Sequence, residues 1–262
     1  MTPMQPHATI AFDHVGLGAP DPAGAARDWS LVLGLAPVER PDGGFRFQFD
    51  RGALEIAAGS PGPSGLGFLH ADARPGPAEL HGVALAWVPV VGAPDARPVV
   101  STPAGDAVRD VETGAGQVHA IDHVVVRTLD PDRAIASWRD VLGLRLALDR
   151  SFPDRGLRML FFRSAGVTIE FVAPVGTVDP AARDAIDGIA WQVRDVDACR
   201  SRLLEAGLDV SEVRRGHKPG TRVATLRSGT GGLPTLLIES PPSASGIAAR
   251  TAGANDPAAG RT

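Results

Sequence analysis

An internal repeat constrains this chain more than any other feature of its sequence. Three motifs recur at one fixed separation of 109 residues: Asp13-His14 with Asp122-His123, Asp21-Pro22 with Asp130-Pro131, and Trp29 with Trp138. Because the separation is constant, neither copy carries an insertion between its motifs. Self-similarity of this kind indicates a duplicated supersecondary unit whose copies share a core.

Each copy has the pattern of a strand followed by a helix. Residues 121–126 form a hydrophobic run that is mostly β-branched, Asp130-Pro131 is a turn signal, and apolar residues then recur every three or four positions up to Gly143. This spacing predicts an amphipathic helix that ends at a C-cap glycine. Short strand-like stretches follow, so the unit reads β-α-β-β-β. One such unit cannot bury its apolar faces alone.

Two weaker copies extend the pattern. A third copy spans residues 187–239, with strands at both ends and a helix over 196–206. A fourth begins at residues 65–69, has 77–85 in the helix position, and then dissolves into Gly, Pro and Asp. Its strand order cannot be read from the sequence.

The copies predict the organisation of the whole chain. Residues 8–112 should form a degenerate module pair and residues 118–241 a well-formed pair. Residues 242–262 are small and polar without periodicity, which predicts a disordered tail.

Composition excludes several classes of function. The 262 residues carry a net charge of −4, which gives no footprint for nucleic acid or an anionic membrane surface. No apolar run is long enough to span a membrane, and the N-terminus lacks the pattern of a signal peptide. The single cysteine, Cys199, excludes an internal disulfide framework. A cytoplasmic protein without nucleic-acid or membrane partners is expected.

The order of four motifs carries a family resemblance. An Asp-His-Val strand start, an Asp-Pro turn before a Trp-containing helix, a Leu-Gly-Leu close and strands ending in Ile-Glu occur over residues 8–58 and 118–241. Together they resemble the vicinal oxygen chelate superfamily of glyoxalase I, bleomycin-resistance proteins and extradiol dioxygenases. The resemblance implies an α+β fold. Tandem βαβββ modules pair in it, and their sheets curl into cups with the helices outside.

The resemblance also implies metal ligands on the first and last strands of each module. In the C-terminal pair these positions hold His123, Glu170 and Glu239. A carboxylate on a half-buried strand face is costly unless it is paired, protonated or bound to a metal. One imidazole with two carboxylates suits a divalent ion such as Mn, Fe, Ni or Zn. The alternative is a satisfied strand-end histidine beside partly solvated glutamates.

One departure from the family pattern limits the expected chemistry. Gly188 stands where metal-binding relatives usually place a second ligand, often histidine. Three ligands can still hold a catalytic metal. The two-His-one-carboxylate triad of extradiol dioxygenases is not available, so dioxygenase chemistry is disfavoured. Glu239 is the expected proton-transferring residue.

Substrate contacts are expected from a basic loop and a tryptophan. Residues 214–222 form the most polar loop of the C-terminal pair and contain Lys218, the only lysine, and Arg222. Such a loop at the rim of a cup could close on a carboxylate or phosphate. The alternative is a solvated hairpin turn. Trp191 lies in a strand whose alternation allows it to line the cup.

Two functions remain open at this level. The first is a glyoxalase-like, metal-dependent lyase or isomerase acting on a small oxygen-rich substrate, for which His123 and the two glutamates are the motivation. The second is a metal-free protein that sequesters a small apolar ligand, as bleomycin-resistance proteins do, for which Gly188 is the motivation. His14 and Glu55 of the N-terminal copy are expected to be structural. A sheet edge left by the eroded copy could favour a homodimer.

Overall fold

The structure, a computed structural model, describes residues 10–70, 76–90, 114 and 116–241. These residues form two mixed β-sheets of seven and eight strands with three α-helices. The α+β fold of curled sheets expected from the sequence is confirmed. The predicted disordered tail, residues 242–262, lies outside the described residues.

The first sheet has the order β2-β3-β4-β1-β5-β7-β6 and carries one helix, α1. Its elements are β1 Ala11–Ala19, α1 Pro22–Leu33, β2 Val38–Glu39, β3 Phe45–Gln48, β4 Ala53–Ala58, β5 Gly62–His70, β6 Glu79–Leu80 and β7 Val83–Pro89.

The second sheet has the order β13-β14-β15-β12-β8-β11-β10-β9 and carries α2 and α3. Its elements are β8 Val118–Arg127, α2 Pro131–Ile135 with a π-helical continuation Ala136–Val141, β9 Arg145–Phe152, a 3-10 turn Pro153–Arg155, β10 Leu157–Ser164, β11 Val167–Pro174, β12 Ala185–Val193, α3 Val196–Glu205, β13 Arg214–Arg215, β14 Arg222–Leu226 and β15 Thr235–Glu239.

The repeat motifs begin and end the helices of both copies. The side chain of Asp21 accepts a hydrogen bond from a backbone N–H of the first turn of α1, and Asp130 does the same for α2. Proline follows each aspartate at the first helical position, where its missing N–H is not needed. Gly34 caps α1 with a φ of 72°, and Gly143 has a φ of 74° after the π-helical stretch. These values favour glycine.

The two sheets share one strand arrangement. The first strand of a module pairs in parallel with a later strand of the same module, as β1 does with β4, β5 with β7, β8 with β11 and β12 with β15. The two modules of a pair meet through their antiparallel first strands, β1 with β5 and β8 with β12. Within the described residues, the eroded fourth copy therefore keeps the parallel strand pair of a module.

The helix predicted over residues 77–85 is wrong, because these residues form a β-hairpin. β6 and β7 are joined by His81 and Gly82, whose φ values of 49° and 114° are both positive. Consecutive positive φ values are typical of tight hairpin turns. The hairpin buries three apolar side chains, Leu80, Val83 and Leu85. The three-residue spacing of Leu80 and Val83 fits a helix, but Leu85 does not continue that helical face, whereas Val83 and Leu85 alternate as in a strand.

Aromatic side chains join the two sheets in one core. Trp191 of β12 is fully buried, with its ring centroid 5.9 Å from that of Trp29 and 5.1 Å from that of Phe49, both from the N-terminal half. Trp138 makes the reciprocal contact, 6.2 Å from Phe68. The expectation that Trp191 binds substrate is corrected by this position, because its face of β12 packs against the other half of the chain.

No helix in the described ranges has the length and apolar character needed to cross a membrane.

Truncation of Trp191 tests the shared core. We expect Trp191→Ala to lower the free energy of unfolding by roughly 3–5 kcal/mol, because a large buried side chain is replaced by a cavity. Urea unfolding followed by far-UV circular dichroism measures the loss. Leu148→Ala is the control, because Leu148 is 47% exposed and its loss should cost less than about 0.5 kcal/mol. Equal losses in the two variants would contradict this packing.

Candidate functional site

The candidate site lies on one face of the eight-stranded sheet. Strand β8 buries Val124 and Val126 on the side of the shared core, so His123 projects from the other side. Thr168 of β11 and Ala190 of β12 pair with His123 and share its face. We call this face the C-terminal cup. The corresponding face of the seven-stranded sheet, which carries His14 and Glu55, is the N-terminal cup.

A β-bulge brings Asp122 onto the same face as His123. Along β8, His123 pairs with Ala190 but Ile121 pairs with Trp191, so Asp122 is an extra residue without a partner in the ladder. A bulge of this kind redirects a side chain and is frequent beside active sites. The N-terminal copy has the same irregularity, between Phe12 and His14.

Asp122 and His123 form a hydrogen-bonded pair. The Nδ1 atom of His123 lies 2.7 Å from Oδ2 of Asp122, and Nε2 of Gln192 donates to Oδ1 of Asp122 at 2.7 Å. Burial by itself would raise the pKa of Asp122. The hydrogen bonds from His123 and Gln192, with the charge of Lys218 3.8 Å away, instead hold that pKa well below its usual range. Asp122 is therefore an ionised acceptor.

Glu170 is the second acidic group of the C-terminal cup. It lies two residues beyond Thr168 on β11 and therefore shares the face of His123. Within the described part of the chain, the side chain of Glu170 makes neither a hydrogen bond nor an ion pair. Burial raises its pKa, an effect that the charges of His123 and Lys218 offset in part. Glu170 thus has an increased tendency to be protonated.

The strand register separates Glu239 from these groups. Ala190 pairs with Leu236, whereas Glu239 pairs with Val193 on the opposite face of the sheet. There Oε2 of Glu239 accepts a hydrogen bond from the backbone N–H of Val196 at 2.9 Å, at the start of α3. Ligation of one ion by His123 and Glu239 together is incompatible with this register. The roles expected for Glu239 in metal binding and proton transfer are corrected accordingly.

The two basic residues of the predicted substrate loop lie in different places. Lys218 is 66% exposed, and its Nζ is directed toward Asp122 at the rim of the C-terminal cup. Arg222 contacts Asp197 and Glu239 on the helix side of the sheet. The expected substrate role of Arg222 is therefore corrected, while that of Lys218 remains compatible with its position.

The second module has no polar side chain at the two positions that correspond to His123 and Glu170. Gly188 pairs with Val125 as His123 pairs with Ala190, so glycine occupies the position that corresponds to His123. Leu236 occupies the position that corresponds to Glu170. Apart from Gln192 and Lys218, this half of the cup presents an apolar cluster of Ala190, Val223 and Ile238 against Leu236.

The N-terminal cup holds a closed network of charges. Asp13, His14 and Glu55 are the one group of acidic and imidazole side chains, among the described residues, whose ligand atoms all lie within 4.8 Å. His14 is 2.7 Å from Asp13 and 3.4 Å from Glu55. Arg46 donates to both carboxylates, and Arg40 donates to Glu55. Against the effect of burial, the bonds from His14 and Arg46 lower the pKa of Asp13 to about 2.

Neither cup fits the divalent ion that the resemblance implied. In the N-terminal cup, a cation would have to displace two guanidinium groups from the carboxylates that would bind it. In the C-terminal cup, Asp122 and Nδ1 of His123 are engaged with each other, and the described residues there offer no set of three ligand atoms that all lie within 4.8 Å of one another. A catalytic zinc site, for comparison, uses three protein ligands.

Sequence reasoning identified part of this site. His123 and Glu170 were predicted, and the structure places both on one face. Asp122 and Gln192 were missed. The Asp-His motif was read as a strand start, and strand alternation assigns its two residues to opposite faces; only the bulge brings them together. No local signal marks Gln192.

Comparison with known proteins places this chain beside one superfamily and an epimerase within it. Residues 122–225 match the family model of the glyoxalase/bleomycin resistance protein/dioxygenase superfamily. An ethylmalonyl-CoA/methylmalonyl-CoA epimerase of Cereibacter sphaeroides is 31% identical over 97 residues, which cover 34% of this chain and 72% of that protein.

Two solved structures of methylmalonyl-CoA epimerases are also similar to this chain. The enzyme from Mycobacterium tuberculosis has a TM-score of 0.40 at 26% identity, covering 49% of this chain and 93% of that one. A variant from Streptomyces coelicolor in complex with 2-nitronate-propionyl-CoA has a TM-score of 0.38 at 20% identity, covering 47% and 99%.

The buried carboxyl of Glu170 predicts a pH dependence of stability. Because its folded-state pKa is raised above the ordinary 4.5, the folded chain holds this proton more tightly than the unfolded chain. The contribution of the protonated Glu170 carboxyl to the free energy of unfolding is complete below pH 4.5, and it is lost as the pH rises through the raised pKa. We therefore expect the free energy of unfolding to fall less over this window in Glu170→Gln than in the wild type, as measured by urea unfolding at several pH values.

Glu212→Gln is the matched control for this measurement, because the side chain of Glu212 is 87% exposed. It should keep the wild-type dependence on pH. Identical pH profiles for the two variants would show that Glu170 does not carry the effect.

Proposed function

The chain belongs to the glyoxalase/bleomycin resistance protein/dioxygenase superfamily, and we propose that its C-terminal pair is an isomerase that moves a proton at a carbon next to a carbonyl group. The observation that carries the proposal is the placement of an aspartate-oriented His123 and an unpaired Glu170 on one face of the sheet. The related epimerase, named for reactions of this class, supports the same conclusion.

His123 is the proposed base. Because Asp122 is ionised, it can only accept a hydrogen bond, so Nδ1 of His123 must be the donor. In the neutral imidazole, Nε2 then carries the free lone pair. A lone pair held in one direction by a buried carboxylate is the arrangement that general-base catalysis requires.

Glu170 is the proposed acid. Burial raises its pKa, so its protonated form is more populated than that of an exposed carboxyl group. A planar enolate between the two side chains would present one face to each. His123 takes the proton from the substrate carbon, and Glu170 returns a proton to the other face. The imidazolium and the Glu170 carboxylate then recover their starting states by proton exchange with water.

The surroundings of the pair indicate a substrate with a short alkyl group and an anionic group. Ala190, Leu236 and Ile238 give the second half of the cup an apolar surface. Lys218 places a positive charge at the rim, where a carboxylate can bind. Branched malonyl thioesters combine these features, so methylmalonyl-CoA and ethylmalonyl-CoA are the first substrates to test.

Deuterium exchange tests the proposed reaction. We expect the wild-type protein in D2O to introduce one deuterium at the α-carbon of one of these thioesters, at a rate above the protein-free reaction, as measured by proton NMR and mass spectrometry. His123→Ala and Glu170→Gln should each lower that rate by roughly 10²- to 10⁴-fold, because each removes one partner of the proton transfer.

His14→Ala is the matched control, because His14 lies in the same Asp-His motif of the other cup. It should retain exchange, and so should wild-type protein treated with EDTA. Loss of exchange in His14→Ala alone would assign the reaction to the N-terminal cup. Loss on chelation would show that a metal ion is required.

A second candidate function follows from the apolar half of the cup. Gly188 and Leu236 replace polar ligands, so the same face could sequester a small apolar molecule as bleomycin-resistance proteins do. Absence of exchange together with ligand-dependent thermal stabilisation that is insensitive to EDTA would favour this candidate.

A further inference from the structure

We infer that the degenerate N-terminal half orients the proposed base of the C-terminal half, through a hydrogen-bond relay from Arg51 to Gln192, Asp122 and His123. Arg51 lies in the turn between β3 and β4, in the other half of the chain. It is a positioning residue, since its side chain donates to Gln192 and acts on His123 through Gln192 and Asp122. The catalytic consequence of this inference rests on the proposed function, but the relay itself does not.

The relay consists of three consecutive hydrogen bonds. Nη2 of Arg51 donates to Oε1 of Gln192 at 2.9 Å. Nε2 of Gln192 donates to Oδ1 of Asp122 at 2.7 Å, and Oδ2 of Asp122 lies 2.7 Å from Nδ1 of His123. The first bond joins residues that are 141 positions apart in the chain.

The chemistry of each member sets the direction of the relay. A guanidinium group can only donate, so it fixes the oxygen of the Gln192 amide toward Arg51 and the NH2 group toward Asp122. Asp122, as an ionised carboxylate, can only accept. His123 must therefore donate from Nδ1, which leaves Nε2 free in the neutral ring. Without Arg51, the Gln192 amide would lose the bond that holds it in place, so Asp122 would lose a fixed donor and its carboxylate could move away from Nδ1 of His123.

The turn that carries Arg51 is attached to strand β8 next to the hydrogen-bonded pair of Asp122 and His123. The backbone N–H of Ile121 donates to the carbonyl of Arg51 at 3.1 Å, and that of Asp50 donates to the carbonyl of His119 at 2.9 Å. These bonds hold the turn against the residues that precede Asp122. A side chain at Gly166 would place its Cβ 2.6 Å from Cδ of Arg51, so glycine there leaves room for the arginine.

The Asp13–His14 pair of the N-terminal cup provides an internal comparison. Asp13 and His14 form the same 2.7 Å pair, but Asp13 is held directly by Arg46 from its own sheet. A change at Arg51 should therefore affect His123 and leave His14 unchanged.

Imidazole NMR tests the relay without reference to activity. In ¹⁵N-labelled wild-type protein, at a pH where the rings are neutral, long-range ¹H–¹⁵N correlation should show His123 protonated at Nδ1. We expect Arg51→Met to convert His123 to a mixture of tautomers while His14 stays as in the wild type. Arg51→Lys, which retains a donor, should restore part of the Nδ1 form.

A wild-type pattern for His123 in Arg51→Met would overturn the inference. If Arg51→Met altered both histidines, Gln192→Leu would decide, because it removes the amide and leaves the residues of the turn unchanged. A change confined to His123 supports the relay, and an unchanged His123 overturns it.

Exchange kinetics separate the relay from the proposed function. If the relay and the proposed function are both correct, Arg51→Met should lower kcat for α-proton exchange and leave KM unchanged. A tautomer shift in a protein that exchanges no α-proton would leave the relay in place and refute the proposed function. Wild-type tautomers in an active protein would refute the relay alone.

Discussion

One extra residue in strand β8 makes the candidate site possible. Neighbouring side chains in a regular strand point to opposite faces, so Asp122 and His123 could not form a hydrogen bond there. The bulge at Asp122 removes this restriction, and its counterpart at Asp13 does the same in the N-terminal sheet. Because both copies have the bulge, the oriented imidazole is a property of the repeated module. Its surroundings then determine what each copy can do.

The two cups differ in how their acidic residues are neutralised. Glu55 is paired with Arg40 and Arg46, which closes the N-terminal network, and His14 approaches it to 3.4 Å. In the described residues no cation forms an ion pair with Glu170, so burial raises its pKa and shifts it toward its protonated form. A closed network stabilises a structure, whereas a carboxyl group with a raised pKa on the same face as an oriented imidazole can exchange protons with a bound molecule.

The sequence predicted those features that are set within one copy. The constant spacing of the repeat gave the modules, and Asp21 and Asp130 mark the helix starts. The failures involve contacts between copies. The Ile-Glu pair that ends β15 resembles the Ile-Glu pair within β11, but the pairing register, which no motif encodes, turns Glu239 to the helix side. Burial of Trp191 against the other half of the chain, and the contact of Arg51 with Gln192, likewise depend on how the two sheets pack.

The most direct test of the account is a crystal structure of the protein with a planar nitronate analogue of an acyl thioester, which imitates an enolate. The account predicts that the planar group lies in the C-terminal cup between Nε2 of His123 and the Glu170 carboxyl. An analogue bound beside His14 and Glu55 in the N-terminal cup, or bound with its planar group away from His123, would contradict it.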